Sequence, residues 1–320
     1  MKTTLKVKKK DKPLTRKEKL QRFLSWVYAC TGIGYILVGL HSLITHKKQY
    51  KYYASLCLIF KDEAPFLKEW IEYHRMIGID HFYLYNNNST DNFRQVIDSY
   101  VESGVITLIE WEKDYSQAEA YKHCYDSCRN ETHWLGYIDA DEFLNLHVDL
   151  GDDIKIFLKK FDRYPSLHMP WRIFGSSGIM EMDYSKPVIE QFTQCWPYLH
   201  NEVKSFINND YDFMRISVHY HIARFLGLPI YGILTNRMFS PYMKCSPRKL
   251  VPKLCVNHYW CKSFDFFLYK AFVKTDVCSP YAERRRQERG INLFELQCSD
   301  RDYSIQRWLV NLKERLKDCE

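Results

Sequence analysis

No CxxC pair and no metal-ligand spacing occurs among the eleven cysteines of this 320-residue chain. An odd, scattered set of that kind argues against a disulfide framework and for buried thiols in a reducing compartment. Also missing are internal repeats, low-complexity stretches and any Pro/Gly/Ser-rich linker, so nothing in the composition divides the chain. With 46% hydrophobic and 27% charged residues it is neither disordered, collagen-like nor mucin-like, and it can bury a substantial core. Excess charge is absent from most of its length. Residues 1–22 hold ten basic side chains against Asp11 and Glu18, a net +8, while the whole chain is +7, so residues 23–320 sum to −1. That near-neutrality excludes the usual basic nucleic-acid groove, and no nucleic acid is expected as a partner. The positive charge belongs to a tail.

Phe23 to Ile44 (FLSWVYACTGIGYILVGLHSLI) contains no Asp, Glu, Lys or Arg. At ~1.5 Å per residue this stretch is long enough to cross a hydrocarbon core of ~30 Å. No convincing small-x-small cleavage site follows, which favours an uncleaved membrane anchor over a signal peptide. Three glycines, and Lys47, Lys48 and Lys51 on the far flank, leave a second reading. In it an apolar helix packs on the domain or lies in the membrane interface, with the basic tail on anionic headgroups. The sequons at Asn87, Asn88 and Asn130 bear on the compartment, because a glycan at either of the first two would block the nucleotide loop assigned below. The expected setting is therefore membrane-associated with a cytosolic catalytic domain, as at a bacterial inner membrane. A Golgi-type single-pass anchor is the alternative.

Beyond the tail, short apolar runs alternate with helical periodicity. Ala54–Phe60, His81–Tyr85, Val105–Glu110 and Trp134–Ile138 read as strands, and about 65–76, Phe93–Val101 and Gln117–Asn130 as helices. Such alternation predicts an α/β fold, a mostly parallel sheet with helices on both faces, in which ligands bind outside the carboxyl ends of the strands. Four strand ends carry polar runs: Lys61-Asp62-Glu63, Asn86–Asp91, Glu110-Trp111-Glu112 and Asp139–Glu142. Asp139-Ala140-Asp141 places two carboxylates two residues apart just past a buried strand, where a hard divalent cation, Mn²⁺ or Mg²⁺, can bind and neutralise a diphosphate. Asp141 is expected to ligate directly, and Asp139 to reach a ribose or a metal-bound water.

SLCLIFKDEAPFLKEWIEYHRMIGIDHFYLYNNNSTDN, NETHWLGYIDADEFL and VNHYWCKSFDFFLYK resemble glycosyltransferase family 92, of the GT-A fold, over roughly residues 54–275. The resemblance implies a metal-dependent, inverting transferase that uses a nucleotide-diphospho-sugar. The family usually reads K-N-E where this chain has Lys61-Asp62-Glu63, and often has an Asp near Asn86 or Asn87. A nucleotide site of Lys61, Glu63, Asn86, Asn88, Asp91 and Asp139 follows: amides for a base edge and ribose, and a lysine to offset phosphate charge. Asp91 also suits the cap of the following helix.

GT-A enzymes often complete the metal shell with a histidine from the C-terminal half. His219 and His258 are the candidates, with Lys204–Ile207 upstream favouring His219, which shares one face of an expected strand with His221. Neutral imidazole would be needed for ligation. Trp171–Gly178 reads as a strand opening into a closing loop. Glu181, Asp183 and Glu190, beyond it, are candidates for the carboxylate that takes the acceptor proton. Glu283–Arg289 reads as a solvated helix face.

The expected organisation is a basic tail (1–22), an apolar anchor or interfacial helix (23–44), a GT-A domain (52–275) and a C-terminal helical extension (276–320). The expected activity is sugar transfer from a nucleotide-linked donor, UDP-linked by preference, to a glycan or lipid-linked acceptor in surface polysaccharide or lipopolysaccharide synthesis. A nucleotidyltransferase would want a glycine-rich phosphate loop, and Lys61-Asp62-Glu63-Ala64-Pro65 has no glycine. A non-catalytic carbohydrate-binding or scaffold protein is the alternative, opposed by the intact Asp139/Asp141 pair.

Overall fold

The computed structural model describes residues 15–16, 19–20, 23–24, 27–28, 31–45, 48–234, 237–238, 253–281, 284, 287, 290–291 and 295–317. Residues 1–14 of the basic tail and most of the run Glu283–Arg289 lie outside the described residues.

Gly32 interrupts the stretch expected as a continuous anchor. Its φ of +78° lies in the left-handed region that glycine tolerates, and α1 (Ile33–Ile44) begins after it. Twelve residues rise only ~18 Å, and among the described residues no helix is long and apolar enough to cross a membrane. α1 docks on the domain instead. Gly34, Val38 and His41 are buried, the His41 ring stacks on Tyr211 at 3.6 Å, and the Tyr28 hydroxyl donates to the Tyr231 carbonyl at 2.9 Å.

β1 (Tyr52–Phe60) is buried from Ala54 to Phe60, as a strand covered on both faces must be. α2 (Ala64–Met76) carries Pro65 in its first turn, where the missing N–H has no partner to lose, and it buries Phe66, Leu67, Trp70, Ile71 and Tyr73. β2 (His81–Asn86), α3 (Phe93–Glu102), β3 (Ile106–Glu110), α4 (Gln117–Cys128) and β4 (Thr132–Tyr137) follow, close to the bounds read from periodicity.

β1 pairs in parallel with β2 (Ser55 opposite His81) and with β4 (Ala54 opposite Trp134), and β2 pairs in parallel with β3. The chain therefore steps outward from β1 to β3, then returns to the other side of β1. Right-handed crossovers put α2 and α3 on one face and α4 on the opposite one. Where the direction reverses, between β1 and β4, a crevice opens outside the strand ends.

Beyond β4 the sheet is mixed. β5 (Glu142–Leu146), β6 (Ser166–Ile173), β7 (Val203–Asn208) and β8 (Leu254–His258) extend it, and the short strands Ile233–Leu234, parallel to β6, and Arg237–Met238 edge it. β7 runs antiparallel between β4 and β6, while β8 pairs parallel with β6 and antiparallel with β5. α5 (Phe264–Phe272) leads away from β8. α6 (Leu309–Lys317) returns to α2, burying Leu312, accepting a bond from Lys68 at the Leu316 carbonyl (2.8 Å) and pairing Arg315 with Glu72 at 3.2 Å. The stretch expected as a helical extension also contains a strand, since Asp300–Arg301 pairs with Gln194–Cys195.

Glycine at residue 136 leaves room for the side chains of Phe206, opposite it on β7, and Leu56 on β1. A Cβ there would lie 2.5 Å from the Phe206 ring and 2.6 Å from Leu56. Gly136→Ala is expected to cost about 1–3 kcal/mol by overpacking, read as a lower midpoint of urea unfolding.

Candidate active site

The carboxyl ends of β1 and β4 open into a cleft of about 190 Å³ that continues into open solvent. Lys61 and Glu63 follow β1 on its wall, Asp139 and Asp141 follow β4, and the C-terminal half adds His219, His258, Trp260, Lys270 and Lys274.

The two aspartates do different things. Asp139 Oδ1 accepts from Gln117 Nε2 at 2.8 Å and from the Tyr121 hydroxyl at 3.1 Å, and its Oδ2 meets Lys204 Nζ at 2.7 Å. Lys204 is fully buried and also lies 3.4 Å from Glu142 Oε2, which accepts the Asp139 N–H at 2.9 Å. Burial pushes the Asp139 carboxyl up, but the Lys204 ammonium outweighs it and holds the group below the usual carboxylate range. For Glu142 burial prevails, and its pKa is pushed up to about 7. Burial works against a charged Lys204, yet the two carboxylates hold its ammonium above the ordinary lysine range. A buried ionic triad thus fixes the floor of the cleft.

Asp141 instead turns toward the C-terminal half. Its Oδ2 pairs with Lys270, and its Oδ1 lies 3.5 Å from His258 Nε2. Burial would raise its pKa, but Lys270 and then His258 pull it well below the carboxylate range. The His258 ring packs on Trp171 at 4.5 Å, and its buried Nδ1 has no hydrogen-bond partner among the described residues. His219 meets the same indole edge-on at 5.4 Å. Burial, followed by the nearby Lys204 charge, lowers its pKa and keeps the imidazole neutral. The strand expected to carry His219 and His221 begins only at Ile222, and His221 packs in the core against Tyr137 at 4.9 Å. On the opposite wall Glu63 pairs with Lys274 and lies 3.9 Å from Lys262. The Lys262 ammonium sits over the Phe66 and Phe266 rings at 3.9 and 4.4 Å, and burial lowers its pKa to about 8.

Several expected site residues lie elsewhere. Asn86 Nδ2 donates to Glu110 at 2.6 Å and its Oδ1 accepts from the Ser89 N–H, while Asn88 Nδ2 donates to the Glu112 carbonyl at 2.9 Å. Their amides are engaged in joining two loops and do not line the cleft. Asp91 accepts from the Ala64 N–H at 2.7 Å, so it caps α2, not the helix that follows it. Of the candidate bases, Glu181 is exposed, Asp183 pairs with Lys186 at 3.0 Å and Glu190 with Lys313 at 2.7 Å. None of the three lines the cleft. The loop expected to close over the site is tied down, with Ser176 N–H donating to Glu295 at 2.6 Å and Ser177 Oγ accepting from the Thr193 and Gln194 N–H groups.

Apart from Lys61, sequence reasoning missed the cations of the cleft. Lys270 and Lys274 had a readable signal, an i, i+4 spacing that puts both on one helical face. Among the described residues no three His, Cys, Asp or Glu side chains converge to hold a metal. Asp141 and His258 nevertheless offer an oxygen and a nitrogen on one cleft wall. Two protein donors fit a divalent ion that takes the rest of its shell from phosphate oxygens and water.

A glycosyltransferase family 92 protein of Ricinus communis is 32% identical over 127 residues, which is 39% of this chain and 23% of that protein. One from Oryza sativa subsp. japonica is 32% identical over 136 residues, 42% of this chain and 23% of its own length. The matched stretch thus spans about a quarter of either relative. Among solved structures, S. aureus TarS 1-349 aligns over 49% of this chain and 47% of its own, with a TM-score of 0.34 and 11% identity. The sequence pattern of glycosyltransferase family 92 itself matches residues 50–232, more than half of the chain and all of β1 to β7, and this protein belongs to that family.

Proposed function

We propose that the protein transfers a sugar from a nucleotide-diphosphate donor, UDP-linked by preference, to a hydroxyl of a glycan or lipid-linked acceptor, with inversion at the anomeric carbon. The observation that supports this reading is the setting of Asp141, held between Lys270 and His258 in the cleft at the switch point of the sheet. A diphosphate would bring negative charge among Lys61, Lys270 and Lys274, which complement it. Asp139, fixed by Gln117, Tyr121 and Lys204, presents a carboxylate to donor hydroxyls without having to reorganise. Trp260, half-buried on the cleft wall, offers a ring face for sugar or base. Mn²⁺ or Mg²⁺, held through Asp141 and His258, would stabilise charge on the departing diphosphate. With Glu181, Asp183 and Glu190 outside the cleft, Glu63 and Asp276 are the wall carboxylates, besides the aspartate pair, that could accept the proton of the acceptor hydroxyl. Surface polysaccharide or lipopolysaccharide synthesis is the setting that such an acceptor suggests.

Calorimetric titration of UDP tests the reading. Mn²⁺ is expected to tighten binding at least ~10-fold, since an ion bridging protein and diphosphate adds more than ~1.4 kcal/mol. Absent binding, or equal affinity with and without the ion, would reject it.

A further inference from the structure

Much of the charge in the cleft is already neutralised from within. α5 sends Lys270 to Asp141, which follows β4, and Lys274, just past the helix end, pairs with Glu63, which follows β1. Lys204 neutralises Asp139 from beneath. The i, i+4 spacing sets Lys270 and Lys274 on one side of their segment, so one stretch of chain closes an ion pair on each wall.

Asp141 is the carboxylate with two claims on it. Its Oδ1 stands 3.5 Å from His258 Nε2, wider than an ordinary hydrogen bond, while its Oδ2 is in close contact with Lys270 Nζ. The Lys270 side chain is only 13% exposed, and its ammonium also donates to the Trp260 carbonyl at 3.3 Å. The cation that serves Asp141 is a lysine, not the histidine beside it.

A divalent ion reaching Asp141 and His258 would meet that ammonium. One buried carboxylate cannot balance three positive charges, so ion and ammonium exclude each other there. A diphosphate changes the balance, because it brings several negative charges and accepts strong hydrogen bonds from an ammonium. Lys270 lines the same cleft as Lys61 and Lys274, and its flexible four-carbon stem lets the ammonium change partners by side-chain rotation alone.

We propose, building on the transferase reading of the cleft, that Lys270 is the resident counter-ion of Asp141 and yields this carboxylate to a divalent ion only when a nucleoside diphosphate is present to receive its ammonium. The lysine thereby keeps the cleft from taking up the ion alone, and makes the ion and the donor enter together.

Mn²⁺ binding to the full-length protein, with and without UDP, tests this through the spin-resonance signal of the free ion. For wild type, saturating UDP is expected to tighten Mn²⁺ at least ~10-fold, the reciprocal of the ion's effect on UDP. Lys270→Met leaves Asp141 without its ammonium. It should bind Mn²⁺ at least ~10-fold more tightly than wild type when UDP is absent, and bind UDP at least ~10-fold more weakly when Mn²⁺ is present. Lys270→Gln, which can still donate to the Trp260 carbonyl, should show the same gain in ion affinity. Damage to the fold would lower that affinity, not raise it. Lys274→Met removes a cation from the opposite wall, and should weaken UDP while leaving Mn²⁺ affinity without UDP within ~3-fold of wild type.

Mn²⁺ affinity of both Lys270 variants at or below that of wild type, with the wild-type coupling to UDP intact, would overturn the proposal and leave the transferase reading standing. Equal gains from Lys270→Met and Lys274→Met would overturn it as well, by showing a general field in place of a shared carboxylate. A wild type in which UDP and Mn²⁺ have no effect on one another would remove the transferase reading and the proposal with it.

Discussion

Asp141→Asn is expected to lower sugar-transfer turnover at least ~100-fold while the protein stays folded at 25 °C. The amide keeps the shape of the carboxylate and can still accept from Lys270, so packing at the tip of β4 is preserved. What disappears is the negative charge that faces both Lys270 and His258. A dication bound there would lose the carboxylate that faces His258, and preorganised charge of this kind is worth roughly 10²–10³ in rate. The defect should not be rescued by pH. Lys270 and His258 hold the wild-type carboxyl well below its usual range despite burial, so the group is ionised throughout neutral and mildly acidic conditions. Initial rates of donor hydrolysis and transfer at about pH 6, 7 and 8 check this. Turnover within ~3-fold of wild type would mean that Asp141 is structural and the cleft does other chemistry.

The first four strands, their helices and the placing of Asp139 and Asp141 beside a cleft were legible because each rests on a local signal. ASLCLIF and HWLGYI are unbroken apolar runs that can only be buried strands, and Asp139 and Asp141 directly follow the second of them. A parallel sheet then makes the strand ends converge, which is why Lys61, Glu63 and the aspartates share a cleft. The same logic overreached at Asn86, Asn88 and Asp91. Those residues also follow a strand, but β2 lies one strand away from the switch point, and their polar groups satisfy each other's loops. Acceptor-side carboxylates were illegible for another reason. Glu181, Asp183 and Glu190 follow β6 in the chain, yet the antiparallel half of the sheet carries that segment off to meet Lys186 and Lys313. Lysines were misjudged by composition, since they are surface residues by default. Lys204 did carry a signal: it shares a strand face with Phe206 and Asn208, both of them buried.

Lys204→Met should destabilise the protein more than any other single change to the site. Methionine fills the channel in β7 but removes the ammonium that lies 2.7 Å from Asp139 and 3.4 Å from Glu142. Lys204 and Glu142 are fully buried while the Asp139 side chain is 32% exposed. Removing the ammonium therefore costs about 3 kcal/mol, toward the lower end for a buried ionic partner, which for a chain of this size lowers the melting midpoint by roughly 6–12 °C. The loss should depend on pH, and its sign follows from the two acids. Burial raises the folded pKa of Glu142 to about 7, so its contribution to stability is fully present below its unfolded value and lost as pH rises through that point. Asp139 is depressed by Lys204 against the pull of burial, so its contribution is present above its unfolded value and lost as pH falls. Without the ammonium, burial governs both groups, both are raised, and both favour the folded state only when protonated. The gap between wild type and variant should therefore be widest near pH 8 and narrow by at least ~1 kcal/mol toward pH 5, as urea unfolding at a series of pH values would report. In a Glu142→Gln background one of the two uncompensated charges is already gone. Lys204→Met should then cost at least ~1 kcal/mol less than it does alone. A gap that stays constant from alkaline to acid pH, or full additivity with Glu142→Gln, would show that the lysine acts through packing and not through its charge.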